Sequence, residues 1–170
     1  MNKINDFHRR LITAAAGIFS WLAVIFAWLY WEKTLYLAPC PLCMMQRLAF
    51  VLAGTFFIFD AIVWNSGKTL RFLAMFGKYG GIFFGIALAA RHIHIQNLPA
   101  DKKPSGCSFD FYALIEHDGF LKGLLRSMQG TGDCAQVDKF FGLALPVWSL
   151  IGFGFLVVIA VVFGKVKTRK

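Results

Sequence analysis

The chain has 170 residues, 58% of them hydrophobic and only 16% charged, with 19 Phe and 5 Trp. That composition excludes an ordinary water-soluble domain. A net charge of +9 would suit a nucleic-acid surface if it were spread evenly. Here the excess sits in the two tails and one short connection, so no nucleic acid is expected as a partner.

A membrane-spanning helix needs about 20 mostly apolar residues. In chain order, four segments meet or approach that length, and the expected spans are 11–31, 44–64, 72–90 and 143–164. The first carries no charge. It is too long for a cleaved signal peptide, and no small-residue cleavage site follows it. Trp28, Tyr30 and Trp31 close it as an aromatic belt, and Trp64 marks the opposite interface. Asn65-Ser66-Gly67 is a tight turn into the third span. The apolar stretch from Phe140 to Gly164 is uncharged, and Pro146 and Trp148 open its helix.

Lys3, Arg9 and Arg10, then Lys68, Arg71 and Lys78, then Lys165, Lys167, Arg169 and Lys170 carry the excess positive charge. Such segments stay in the cytoplasm, which puts both termini inside and the loops 32–43 and 91–142 outside. Asp60 and Lys78, near the inner ends of neighbouring spans, are positioned to pair. The long loop balances six basic against six acidic residues. Within it, Phe111, Leu114, Ile115, Phe120, Leu121, Leu124 and Leu125 recur as on an amphipathic helix lying on the membrane surface. Gly119 and Gly123 interrupt that pattern. Gln129 to Asp133 reads as a flexible turn leading into Cys134. The whole chain, 1–170, is one membrane domain.

All four cysteines fall in the outer loops, where disulfides persist. Cys40-Pro41-Leu42-Cys43 stands at the entry to the second span, where a first-turn proline is tolerated and a helix N-terminus favours the reactive thiolate. Cys107 and Cys134 lie in the long loop. The pattern fits thiol–disulfide exchange. A static bridge is one alternative. A metal site is another, needing two further ligands such as Cys107, Cys134 or a histidine, and no metal is assigned. Arg47 lies one turn below Cys43 on the same face. An arginine inside a span marks a functional site, against the alternative of snorkelling to the interface. Arg91 and His92 reach the same depth at the outer end of the third span.

These features together resemble the DsbB family of bacterial inner-membrane proteins, which reoxidise the periplasmic dithiol oxidase DsbA and give the electrons to quinone. The resemblance rests on the four spans, Cys40-Pro41-Leu42-Cys43 followed by Arg47, Ser105-Gly106-Cys107-Ser108-Phe109, Gly132-Asp133-Cys134-Ala135, and Leu145-Pro146-Val147-Trp148. It implies an all-α membrane protein, a four-transmembrane-helix bundle with a long periplasmic loop carrying a short interfacial helix. It also implies that Cys40 and Cys43 form the quinone-proximal couple, and that Cys107 and Cys134 form the couple meeting a DsbA-like partner. Arg47 and His92, with Arg91 as a further candidate, would then bind ubiquinone or menaquinone. Rival readings are a vitamin-K-epoxide-reductase-like protein, a non-catalytic scaffold stapled by disulfides, and a metal-transporting protein.

Overall fold

The computed structural model describes residues 3–36, 39–103 and 111–164. Cys107 and the C-terminal basic residues therefore lie outside the described residues. Four helices are long and apolar enough to cross a membrane. They are α1 (Lys3–Ala27), α2 (Pro41–Ile62), α3 (Lys68–Gln96) and, after the outer loop, α6 (Leu145–Phe163). The long loop folds into α4 (Phe111–Asp118), α5 (Phe120–Gln129) and a two-stranded hairpin, β1 (Lys139–Phe140) with β2 (Leu143–Ala144).

Small residues let the long helices approach. A Cβ added to Gly17 of α1 would stand 2.7 Å from the Gly54 carbonyl oxygen of α2, and one added to Gly81 of α3 would stand 2.9 Å from the Ala53 nitrogen. Where lipid is as apolar as leucine, such close packing replaces the hydrophobic effect as the force between helices. α6 lies chiefly against α3 and only lightly against α1 and α2. It is pinned at mid-depth by Phe153 stacked on Phe50, with centroids 3.9 Å apart.

At the inner end, buried Lys78 pairs with Asp60 at 2.5 Å. Arg10 donates to the Ala61 carbonyl at 3.1 Å, satisfying an acceptor at the end of α2.

Three features depart from the periodicity of the sequence. First, α1 does not stop at its aromatic belt but continues as π-helix over Trp28–Thr34, a wider turn that redirects side chains. Second, the amphipathic stretch of the loop is two helices. Gly119, at φ +80°, breaks it between Asp118 and Phe120. Leu124 and Met128 pack on the bundle while Phe120, Leu121 and Leu125 stay exposed. Third, Phe140 belongs to the hairpin rather than to the fourth span. Phe141 and Gly142 both take positive φ in its turn, the conformation a tight two-residue hairpin demands.

Candidate functional site

Cys40 caps α2. Its backbone is extended, Pro41 follows in the first turn, and its sulfur accepts the Cys43 amide at 3.3 Å. The two sulfurs are 3.0 Å apart as free thiols. The Cys-x-x-Cys spacing thus becomes a pair at a helix N-terminus, where the positive end of the dipole favours sulfur anions.

Cys134 is fully buried in a single 3-10 turn over Gly132–Ala135. The Cys40 thiol and the Leu42 amide are the neighbours that act on its sulfur. The segment carrying it is gripped by the outer end of α3. Arg91 donates twice to the Gln129 carbonyl, at 2.9 and 3.1 Å, and Gln96 donates to the Gln136 carbonyl at 3.0 Å. Gly130, at φ +84°, presses so close to Leu42 and Ile95 that a Cβ would come within 2.9 Å of each. The flexible turn expected before Cys134 is therefore docked and held. The neighbouring Cys40 thiol and then burial push the Cys134 thiol far above its usual pKa. At Cys40 the Cys134 thiol pulls downward. It is outweighed by the Cys43 bond, burial and the nearby Cys43 charge, and the thiol stands well above its ordinary value.

His92 is buried on the same side. Its Nε2 is 3.9 Å from the Cys40 sulfur and its Nδ1 is 3.1 Å from the Gln46 amide. Cys40, Cys43 and His92 present donor atoms all within 4.8 Å of one another.

Cys43 opens on the other side into a cavity of about 790 Å³ between α1, α2 and α6. Phe50, Phe155 and Ile159 run along its apolar depth, and Arg47 lies beside Cys43 near its outer end. Arg47 is paired with Glu32 of the π-helical turn and donates to the Met44 sulfur at 3.6 Å. Phe140 and Trp148 also line this end, with the Trp148 indole donating to the Phe140 carbonyl at 2.9 Å. Trp31 leans on Phe140 with centroids 5.2 Å apart.

The structure thus brings together Cys40, Cys43, Cys134 and His92 and places Arg47 on the cavity side of the pair. Arg91 and His92 are not among the described residues lining that cavity: Arg91 holds the loop, and His92 faces Cys40. Cys107 lies outside the described residues. Glu32, Gln46 and Gln96 were not singled out by sequence. Glu32 and Gln46 had one available signal each, being polar residues at the edge of or inside an apolar span.

The family profile for disulfide bond formation protein DsbB matches residues 9–163. A disulfide bond formation protein B from Hahella chejuensis is 43% identical over 121 residues, 69% of this chain and 70% of that protein. One from a Psychrobacter species is 32% identical over 158 residues, covering 89% and 91%. One from Saccharophagus degradans is 30% identical over 162 residues, covering 95% of each. The chain belongs to the DsbB family.

Proposed function

We propose that this member of the DsbB family, a membrane thiol–disulfide oxidoreductase, draws electrons from a soluble DsbA-like dithiol oxidase through Cys107 and Cys134 and delivers them through Cys40 and Cys43 to quinone. It works in a bacterial inner membrane, with both termini cytoplasmic and both cysteine loops periplasmic. The clustering of basic residues in the tails and the inner connection supports that orientation.

The observation that carries the reading is Cys134 seated on Cys40 while Cys43 faces an apolar cavity beside Arg47. Sulfur exchange proceeds by thiolate attack on a disulfide sulfur. A partner thiolate attacks Cys107 in the Cys107–Cys134 bridge and Cys134 leaves as thiolate. Cys134 then attacks Cys40 in the Cys40–Cys43 bridge, and Cys43 leaves with the electron pair. The partner's second thiol next releases it as a disulfide. Cys107 attacks Cys134 in the Cys40–Cys134 bridge, and Cys40 and Cys43 are left reduced. Two electrons and two protons have then moved from the partner to the membrane pair.

Quinone, ubiquinone or menaquinone, supplies an apolar two-electron, two-proton acceptor. The cavity fits such a molecule: its walls are aliphatic and aromatic, and Arg47 offers donors where a ring oxygen would need them.

Purified full-length protein, mixed with reduced DsbA and a soluble quinone analogue, is expected to reduce the analogue. Serine at any of the four cysteines should abolish sustained turnover. Cys134→Ser should trap the partner as a mixed disulfide through Cys107. A trapped complex running through Cys40 would overturn the order of transfer.

A further inference from the structure

We propose that the reduced protein is also a site for a thiophilic metal cation, Zn²⁺ or Cu⁺, held by Cys40, Cys43 and His92. The proposal goes beyond the electron-transfer reading and does not depend on the direction of electron flow.

A tetrahedral site with metal–sulfur bonds of about 2.3 Å sets its ligand atoms roughly 3.8 Å apart. The Cys40 sulfur already lies 3.9 Å from His92 Nε2 and 3.0 Å from the Cys43 sulfur, and the three donors fit within 4.8 Å. Closing around a cation therefore needs small sulfur movements and no rearrangement of the backbone.

The ring of His92 is oriented as metal-bound imidazoles are, by a partner on its far nitrogen. With the Gln46 carboxamide turned so that its oxygen accepts the Nδ1 proton, Nε2 directs a lone pair at the sulfurs. Gln96, 3.4 Å from the same Nε2, would give up that contact and keep its bond to Gln136. Two sulfurs and an imidazole select soft or borderline cations over Mg²⁺ and Ca²⁺.

No electron moves on binding. Each thiol that ligates releases one proton, and the cation takes the sulfur lone pair that would otherwise attack a disulfide. A Cys40–Cys43 disulfide offers no thiolate, so the oxidised protein does not bind. The cation thereby holds the protein in its reduced form.

The test uses the full chain in detergent, reduced, freed of reductant under argon and titrated with Co²⁺ as the probe. Expected are a sulfur-to-cobalt charge-transfer absorption and the strong visible bands of a tetrahedral site. They should saturate at one equivalent, be displaced by Zn²⁺, and be absent from protein oxidised at Cys40–Cys43. His92→Ala should weaken Co²⁺ binding at least about tenfold, and Gln46→Ala by a comparable factor. Absence of the bands in reduced wild type would overturn the proposal, as would wild-type affinity in His92→Ala. The oxidised-against-reduced comparison needs only wild-type protein and so stands whatever the variants' folding. Quinone reduction is measured separately on metal-free protein. Its failure would strike the electron-transfer reading and leave the cobalt spectrum untouched.

Discussion

Cys134 and Cys40, separated in sequence by two whole membrane helices, act on one another as neighbouring thiols in one site. A loop cysteine is thus pre-positioned on the sulfur at the N-cap of α2. The groups that hold it there are two side chains of α3 and one glycine.

The α3 grip should be measurable thiol by thiol. Losing a neutral hydrogen bond costs about 0.5–1.5 kcal/mol, and losing one from a charged donor about 1.5–3 kcal/mol. In reduced protein, Gln96→Ala should raise the alkylation rate of Cys134 several-fold, and Arg91→Ala about tenfold or more. Unchanged protection in both variants would show that the grip does not hold the loop.

Gly130 and Gly119 both take positive φ in a region nearly reserved for glycine, where another residue costs about 1–3 kcal/mol. They differ in surroundings: a Cβ at Gly119 meets nothing, whereas one at Gly130 meets Leu42 and Ile95. Gly130→Ala should expose Cys134 to alkylation and slow quinone reduction at least tenfold. Gly119→Ala should lower the melting temperature while leaving Cys134 protected. Equal effects on Cys134 would sink the distinction.

Arg47 is expected to act on the cavity's occupant rather than on the dithiol partner. Arg47→Ala should raise the apparent KM for a quinone analogue about tenfold or more, as loss of a charged hydrogen bond predicts, with the KM for reduced DsbA little changed. Glu32→Gln removes the ion pair that aims the guanidinium and should move the quinone KM in the same direction by less. A change confined to the DsbA term would return Arg47 to a purely interfacial role.

Lys78 and Asp60 form an ion pair buried in the inner half of the bundle. Removing one partner of such a pair costs about 3–5 kcal/mol, whereas replacing both with apolar residues is often neutral. Lys78→Met and Asp60→Leu should each lower thermal stability markedly, and the double variant should recover most of the loss. Additive losses in the double variant would argue that the charges serve separate contacts.

Much of this architecture is legible in the chain. Apolar run length announces four spans, and Cys-Pro-x-Cys announces a helix entry with its sulfurs at the N-terminus. Asp60 and Lys78 pair as their depth suggests. The docking of Cys134 is not legible, because Gln129 to Asp133 has the composition of a free turn. Only tertiary neighbours, Leu42, Ile95, Arg91 and Gln96, turn its glycines from freedom into close fit. The π-helical turn is likewise invisible, since Trp28 to Thr34 has the pattern of an ordinary helix end. With it goes the Glu32–Arg47 pair, which depends on the wider turn. For His92, resemblance alone points to the quinone. Its place against Cys40 depends on how α3 is rotated, which a weakly amphipathic helix does not encode.

The cavity beside Cys43 is flanked by Phe19 and Phe26 of α1 and by Ile151 and Phe155 of α6, large apolar side chains that are also about half exposed on the outer face of the bundle. Its long side therefore opens where acyl chains lie, while Phe140 and Trp148 close the end nearest water. Traffic through such an opening is two-dimensional. Occupancy follows the mole fraction of a hydrophobe in the lipid and is indifferent to the volume of buffer around it. At a fixed concentration of reduced partner, diluting a vesicle suspension would leave turnover per protein unchanged, whereas adding plain lipid that fuses with the vesicles would slow it.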